Sequence, residues 1–140
     1  MSFSCEYTVQ FRDTDAAGVM YFANIISICH VAYETSLIES GIDLKVFVNN
    51  PDFAVPITHM SADFFRPLFC GDRVIIELTP SSIDSCKFEI EYQILSINAQ
   101  TFTKSLVSAT AITKHVTIDP ATRKRQNLPE HLTNWLIRWG

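Results

Sequence analysis

Two acidic side chains, Asp13 and Asp15, lie in a short polar segment between two apolar stretches of the chain. Gly18 follows the second acid by three residues, and the apolar stretch behind it begins with Tyr21 and Phe22. A carboxylate in such a segment can act as a nucleophile or as a general base on water. Alternatively, Asp residues often end a strand or cap a helix and have no chemical role. The flanking elements decide between these interpretations.

A metal site is another chemical interpretation of the two acids, with His30 or His59 as further ligands. Zinc and calcium sites use recognisable ligand spacings, such as HxxxH or a loop rich in acids. The sequence contains neither pattern. We therefore predict no metal and no cofactor.

The composition limits the size of the protein and the partners that it can bind. At 140 residues and 47% hydrophobic content, the chain fits a single domain, residues 1–140, with a sizeable core. The net charge of -4 provides no positive field for nucleic acid or an anionic membrane surface. The cysteines lack CxxC spacing, the N-terminus lacks a signal-peptide pattern, and no apolar run approaches ~18 residues. We expect a cytoplasmic protein with reduced thiols and no membrane span.

The residues on either side of the acids predict a strand before them and a helix after them. Apolar and polar residues alternate over residues 4–11, which is the period of a half-buried strand. Residues 22–40 carry apolar side chains at helical spacing and stop at Gly41, a residue favoured just past a helix end. This helix has about five turns at ~3.6 residues per turn. Because its first half is apolar nearly all round, we expect burial on more than one face.

The remainder of the chain predicts an antiparallel sheet. Four further segments have the composition of strands, namely residues 55–65, 73–79, 87–97 and 101–117. Short polar breaks at residues 84–85 and 98–100 make the last three segments antiparallel neighbours, and a short amphipathic helix is expected after Pro129. These elements predict an α+β domain whose curved sheet closes over one long helix. Since an open sheet leaves a bare edge, we also expect a homo-oligomer, a dimer or a tetramer.

The string Asp15-Ala-Ala-Gly18, followed by Val-Met-Tyr-Phe-Ala-Asn24 at the start of a long helix, resembles a known signature. It is that of the hot-dog-fold acyl-CoA thioesterases of the 4-hydroxybenzoyl-CoA thioesterase type. The resemblance extends over most of the chain, through Phe64-Phe65-Arg66-Pro67 to the terminal hairpins. It implies a curved antiparallel sheet wrapped around one central helix, hydrolysis of an aromatic acyl-CoA thioester, and a pocket completed by a neighbouring subunit.

The same resemblance implies roles for individual residues. Asp15 is the implied catalytic carboxylate, either as a nucleophile that forms a mixed anhydride or as a general base on water. The N–H of Phe22 at the helix N-terminus is the implied oxyanion donor, and Gly18 lets the backbone turn tightly beside the acyl group. The implied substrate contacts are Tyr21, His59, Ser61, Phe65 and Arg66. Asp13 is left as a structural residue or a partner of Arg12.

Several other side chains keep two interpretations. His30 and Glu34 are one helical turn apart, so they form either a hydrogen-bonded core pair or a substrate contact with general-acid capacity. The strand aromatics either line an aryl pocket or belong to the core; these are Phe64, Phe65 and Phe69. The phosphates of coenzyme A need basic side chains. The candidates for that contact are Arg66, Arg73 and the basic run at residues 123–125.

Three alternatives to an aromatic acyl-CoA thioesterase remain open. An enzyme of the same type can prefer a short-chain or fatty acyl group. A noncatalytic acyl-CoA or acyl-carrier-protein binding module would use the same cavity, but it gains little from a carboxylate at Asp15. A hot-dog dehydratase needs a histidine and an acid spaced for proton transfer, and His30 is the available histidine.

Overall fold

The computed structural model describes residues 1–97 and 104–140 of the chain. It confirms the predicted α+β architecture, because one long helix packs on a five-stranded antiparallel sheet. The strands are β1 Phe3–Thr8, β2 Ile57–Phe64, β3 Arg73–Ser82, β4 Lys87–Ile97 and β5 Lys104–Val116, and the helices are α1 Ile25–Glu39, α2 Leu44–Phe47 and α3 Glu130–Trp139. The predicted break at residues 98–100 and the first residues of the last predicted strand lie outside the described residues.

The sheet has the strand order β1-β3-β4-β5-β2, so β1 and β2 form its two edges. Successive pairing of β3 with β4 and of β4 with β5 confirms the predicted meander. On β4, Phe88, Ile90, Tyr92 and Ile94 are buried while their neighbours face outwards. The sheet therefore has one core face, which α1 covers.

Helix α1 is buried on one face only, which corrects the expectation of burial on more than one face. Its 15 residues make about four turns, and the buried side chains recur every three or four positions from Ile25 to Leu37. Ser27, Glu34 and Ile38 remain exposed on the other side. The reason is that the sheet is open: it curves along one side of α1 and does not close around it.

The first strand is shorter than predicted. β1 ends at Thr8, and Phe11–Asp13 form a 3-10 turn in place of the last predicted strand residues. The Asp13 carboxylate accepts a hydrogen bond from the N–H of Gln10 at 2.9 Å, which bends the chain locally. The alternation of apolar and polar residues does not predict this turn, because Phe11 still falls on the apolar side of the predicted strand.

Helix α3 follows Pro129 as predicted and packs across the end of α1. The indole N–H of Trp135 donates to Ser36 Oγ at 2.9 Å, and that of Trp139 donates to Ser40 Oγ at 2.9 Å. Arg138 donates to the carbonyl oxygen of Glu39 in the last turn of α1. The C-terminal helix is thereby fixed to α1 by polar contacts as well as by its apolar face. Within residues 1–97 and 104–140, none of the helices has the length and apolar character needed to cross a bilayer.

Candidate active site

Asp15 begins a tight hairpin between β1 and α1. Its N–H donates to the carbonyl oxygen of Val19 at 2.8 Å, and the N–H of Gly18 donates back to the Asp15 carbonyl at 3.0 Å. Thr14 pairs with Met20 just outside this turn. Gly18 has a φ of +79°, a left-handed conformation that costs a residue with a side chain about 1–2 kcal/mol. The predicted tight turn at Gly18 is therefore present in the structure.

The carboxylate of Asp15 is exposed and is oriented by its own loop. Its Oδ1 accepts hydrogen bonds from the N–H of Ala17 at 2.8 Å and from the N–H of Val19 at 3.3 Å. Within residues 1–97 and 104–140, no hydrogen bond to Oδ2 is present. One oxygen is thus held by backbone donors, and the other is available to a substrate carbon or a water molecule.

The second arm of the hairpin is joined to the segment that follows β2. The N–H of Met20 donates to Leu68 O at 2.7 Å, and the N–H of Cys70 donates to Gly18 O at 3.1 Å. Val19 and Phe69 form an isolated antiparallel bridge. These bonds place the residues after β2 directly beside the Asp15 hairpin.

The N-terminus of the long helix lies next to the same hairpin. Tyr21 is extended, with φ -71° and ψ 126°, and Phe22–Asn24 form a 3-10 turn that runs directly into α1. As the first residues of a helical segment, Phe22 and Ala23 have N–H groups without an intrahelical acceptor, and these carry the positive end of the helix dipole. Phe22 is therefore the first residue of a helical segment, and this segment is a 3-10 turn; its role as oxyanion donor stays a prediction.

A cavity of about 340 Å³ opens beside the hairpin and the helix start. Its volume lies at the lower end of the range of small-molecule sites, about 300–1,000 Å³. The walls are apolar apart from one guanidinium, and they consist of Val19, Met20, Phe22, Phe64, Phe65, Arg66, Pro67 and Leu68. The residues Phe22 and Phe65 are 67% and 61% exposed, and both border this space with apolar side chains. Tyr21 packs against Phe22 with their ring centroids 4.9 Å apart.

The fold thus brings four of the implied site residues near one another, namely Tyr21, Phe22, Phe65 and Arg66. Within one protomer it does not bring His59 and Ser61 to them. Both pair with β5 residues that alternate with the buried Ala111, Thr113 and His115, so both point away from α1. At about 3.3 Å per residue, Ser61 lies about 13 Å along the chain from Phe65, and His59 lies about 20 Å away.

His30 and Glu34 do not form the hydrogen-bonded core pair that their spacing allows. Glu34 is exposed, whereas His30 Nε2 is buried and has no hydrogen-bond partner among residues 1–97 and 104–140. Burial lowers the pKa of His30, an effect that the nearby charge of Glu34 partly opposes. The His30 ring instead meets Tyr33 edge-on, with centroids 5.7 Å apart. Tyr33 lies on the same helix and meets His115 of β5, so the His30 ring lies beside the contact between α1 and the sheet.

Tyr7 is a residue of this region that the sequence did not single out. Its hydroxyl donates to Asp13 Oδ2 at 2.6 Å, and both side chains are buried. Asp13, which the sequence left as a structural residue or a partner of Arg12, is therefore primarily a partner of Tyr7. The only advance signal was the position of Tyr7 on the apolar side of β1, a position that many core tyrosines share.

The basic side chains proposed for coenzyme A are dispersed. Arg66 lines the cavity beside the hairpin. Arg73 forms an ion pair with Glu6 on the adjacent edge strand. Arg123 lies by a different cavity of about 450 Å³, which is bordered by the residues that precede β2. Arg66 is therefore the candidate that the fold places at the site.

No cluster of three or more His, Cys, Asp or Glu side chains within the described ranges could hold a metal ion. The thiol of Cys29 lies on the buried face of α1, and burial raises its pKa to about 12. Cys29 is therefore a neutral core residue at ordinary pH and offers no thiolate for nucleophilic chemistry.

The sequence and the fold both match known proteins. The chain matches the thioesterase-like superfamily over residues 9–136. It is 50% identical over 136 residues to the 1,4-dihydroxy-2-naphthoyl-CoA hydrolase of Nostoc punctiforme, which covers 97% of this chain and 87% of the relative. It is 51% identical over 129 residues to the protein of the same name from Crocosphaera subtropica, covering 92% of this chain and 91% of the relative.

A solved structure gives the same result at the level of the fold. The crystal structure of a 1,4-dihydroxy-2-naphthoyl-CoA thioesterase from Synechocystis matches with a TM-score of 0.86 and 35% identity, covering 98% of this chain and 96% of that chain. The Asp15 hairpin, the helix start and the curved sheet are therefore parts of a hot-dog fold, and the chain belongs to the thioesterase-like superfamily.

Proposed function

We propose that this protein hydrolyses 1,4-dihydroxy-2-naphthoyl-CoA to 1,4-dihydroxy-2-naphthoate and coenzyme A, a step that the sequence resemblance connects with phylloquinone biosynthesis. The 1,4-dihydroxy-2-naphthoyl-CoA hydrolases of Nostoc punctiforme and Crocosphaera subtropica are 50% and 51% identical to this chain over nearly its whole length, which supports the substrate. The observation that supports the chemistry is the hairpin. Within the part of the chain that the structure describes, it holds a carboxylate with one oxygen free of hydrogen bonds next to a helix start whose first two N–H groups have no intrahelical acceptor.

In the proposed reaction, the thioester carbonyl oxygen accepts a hydrogen bond from the N–H of Phe22. Negative charge then develops on that oxygen at the positive end of the helix dipole, where such donors contribute several kcal/mol in the transition state. Asp15 Oδ2 either attacks the carbonyl carbon to form a mixed anhydride or removes a proton from the attacking water. The thiolate of coenzyme A needs little assistance to leave, since a thiol pKa is about 8.5.

We propose that the aryl group occupies the apolar cavity, between Tyr21 and Phe22 on one side and Phe65 on the other. Flat aromatic side chains suit a bicyclic aromatic acyl group because rings pack edge-on or offset against one another. Among the described residues that line this cavity, Arg66 is the one that carries a charge, and we propose that it contacts the pantetheine end or a phosphate of coenzyme A.

The test is release of free thiol from a panel of acyl-CoA substrates. We expect 1,4-dihydroxy-2-naphthoyl-CoA to have the highest kcat/KM, ahead of benzoyl-CoA and of short-chain and fatty acyl-CoA. Asp15→Asn keeps the size and exposure of the side chain but removes the base, so we expect kcat to fall by about 10²–10⁴-fold. Asp52→Asn, a change of another exposed acid, is the matched control and should keep full activity.

Other results would select the alternatives. A higher kcat/KM for an aliphatic thioester would replace the aryl specificity by another acyl specificity. Tight binding of acyl-CoA with no thiol release by the folded wild type would favour the noncatalytic binding module. Hydration of an enoyl-CoA would support the dehydratase.

The oxyanion donor can be tested by a backbone change. Phe22→Pro removes the N–H, and proline fits the first position of a helical segment that follows an extended residue such as Tyr21. Phe22→Ala removes the same ring and keeps the donor. We expect the proline variant to be about 10²–10³-fold slower in kcat than the alanine variant. Equal kcat values would eliminate this N–H from the mechanism.

We also propose that the protein is a homo-oligomer built on β2. This strand is an edge of the sheet, and its Ile57, Met60 and Phe64 are 37%, 41% and 43% exposed. Antiparallel pairing of β2 with a second copy would cover these side chains and carry His59 and Ser61 of that copy towards the end of β2 that borders the cavity. Met60→Lys should then lower the molar mass in solution, whereas Ile137→Lys on α3 should not. A monomeric wild type would contradict the proposal.

The proposed setting is the cytoplasm. All four cysteines are free thiols in the structure, and the proposed substrate is an ester of coenzyme A, an intracellular carrier. Fractionation of cells that express the tagged protein would test this location.

A further inference from the structure

Asp13 is a buried carboxylate two residues before the proposed catalytic acid. The residue is 3% exposed. A single oxygen, Oδ2, accepts both the Tyr7 hydroxyl at 2.6 Å and the Gln10 N–H at 2.9 Å. Burying a carboxylate is costly unless it is hydrogen-bonded, so these two donors determine where Asp13 can lie.

The backbone around Asp13 forms the base of the Asp15 hairpin. The carbonyl oxygen of Asp13 accepts the N–H of Tyr21 at 2.9 Å. The neighbouring carbonyl of Arg12 accepts the side-chain amide of Asn24 at 3.1 Å. Asp13 thus connects β1, through Tyr7, with Tyr21, the residue that precedes the 3-10 turn leading into α1.

Tyr7 is suited to be a permanent donor. Burial and the hydrogen bond to Asp13 raise the pKa of Tyr7 to about 12, so the phenol keeps its proton over the whole working pH range. Tyr7 itself lies on β1, which pairs with β3 along its full length. A buried side-chain hydrogen bond therefore joins the base of the hairpin to β1, whereas the backbone bonds of Met20 and Cys70 join its second arm to the segment after β2.

The packing around the turn cannot take over the role of the hydrogen bond between Tyr7 and Asp13. A cavity of about 220 Å³ borders the pair, and its walls include Tyr7, Arg12, Asp13 and Asn24. Because there is space beside the turn, loss of the hydrogen bond would let the base of the hairpin move without a steric clash.

We propose that the Tyr7–Asp13 pair is a positioning element for thioester hydrolysis. It fixes the base of the hairpin, and through it the distance between the Asp15 carboxylate and the N–H of Phe22. The inference rests on the proposed function, in which those two groups act on one carbonyl. A displacement of about 1 Å between reacting groups can cost about 10²-fold in rate.

The kinetic test compares Asp13→Ala, Asp13→Asn and Tyr7→Phe with the wild type on 1,4-dihydroxy-2-naphthoyl-CoA. We expect Asp13→Ala to lower kcat by about 10–10²-fold with little change in KM, because positioning acts on the transition state. The amide oxygen of Asn can accept from both donors, so Asp13→Asn should recover most of that loss. Phe11→Ala, a change in the same turn at a side chain that is 89% exposed, is the control and should retain wild-type kcat.

A double-mutant cycle tests the pair itself. Tyr7→Phe should reduce kcat in the wild-type background and have little further effect in Asp13→Ala, because the partner is already gone. Additive losses would overturn the pair as the acting unit. Equal kcat values for Asp13→Ala and the wild type would overturn the positioning role.

Amide hydrogen exchange provides a readout that needs no substrate. We expect the Tyr21 and Asp15 amides, both bonded within the hairpin, to exchange faster in Asp13→Ala while amides of β4 keep their protection. Unchanged exchange in the hairpin would overturn the proposal, as would a uniform increase over the whole domain. If the wild type hydrolyses no acyl-CoA, the proposed function fails, and the exchange experiment still decides whether the pair holds the hairpin.

Discussion

His115 should make the stability of the fold depend on pH. It lies on β5, is 1% exposed, and places Nε2 2.8 Å from the hydroxyl oxygen of Thr113. Its ring stacks on Phe88, with centroids 4.6 Å apart and an angle of 9°, and it meets Tyr33 of α1 edge-on. Burial, reinforced by the nearby His30, lowers the pKa of His115 to about 3. The folded protein therefore holds this imidazole neutral.

The size and the sign of the effect follow from the difference in pKa between the two states. An unfolded histidine has a pKa of about 6.5, so below that pH the unfolded chain binds a proton that the folded protein excludes. The stabilisation is complete above about pH 6.5 and is lost as the pH falls towards about 3. At about 1.4 kcal/mol per pH unit, this one group lowers the free energy of unfolding by about 2 kcal/mol between pH 7.5 and pH 5.0.

The assay is urea unfolding followed by circular dichroism at several pH values and one fixed protein concentration. His115→Phe keeps a planar ring on Phe88 and removes the titrating group, so the loss between pH 7.5 and pH 5.0 should shrink by about 2 kcal/mol. Thr113→Val is the control: it removes the hydroxyl bonded to His115 but leaves the imidazole buried. We expect it to lower stability by about 1 kcal/mol while keeping the pH dependence.

An identical pH dependence in His115→Phe and the wild type would refute this reasoning. It would mean either that the buried imidazole is reached by water or that the unfolded state does not titrate as assumed. His30, the other histidine with a buried ring nitrogen in this contact, would then be the next group to replace.

Two further substitutions test how the elements are held. Trp135→Phe removes the indole donor to Ser36 from a buried helix contact, and we expect a loss of about 2 kcal/mol in the free energy of unfolding, measured in urea; a loss close to zero would show that α3 is held by its apolar face alone. Gly18→Ala places a side chain where φ is +79°, and among the described residues no atom beyond the two chain neighbours lies within 4 Å of the new Cβ, so we expect a purely conformational cost of about 1–2 kcal/mol. Retention of wild-type stability in that variant, measured by thermal unfolding, would show that the hairpin relaxes out of the left-handed conformation.

Sequence periodicity predicts a strand well where one of its faces is exposed to solvent and the other is buried. The bounds of β4 agree with its predicted residues 87–97, because the alternation there is uninterrupted. β3 runs on to Ser82, past Pro80, beyond its predicted end. The extension is tolerated because β1 pairs with β3 only as far as Leu78, so the proline lies where one side of the strand has no neighbour that needs its N–H.

The candidate site is harder to predict from the sequence, because residues that are far apart in the chain form it. The Asp15 segment and the helix start are local features, and the fold places both as expected. The alignment of Phe65 with Phe22 around one cavity depends on the pairing of the hairpin with the segment after β2. The bond from Tyr7 to Asp13 spans a turn whose geometry no alternation pattern specifies.

The contact between α3 and the C-terminal end of α1 contains the tryptophans of the chain, so their fluorescence reports on that contact. The chain has two tryptophans, and both indoles donate to serines at the C-terminal end of α1 or just beyond it. Release of α3 from α1 would expose both indole rings to water at once. If α3 detaches before the sheet unfolds, the tryptophan emission should shift to the red before the circular dichroism signal changes. Tryptophan fluorescence in this protein is therefore a measure of C-terminal docking, and its coincidence with circular dichroism tests whether the domain unfolds in a single step.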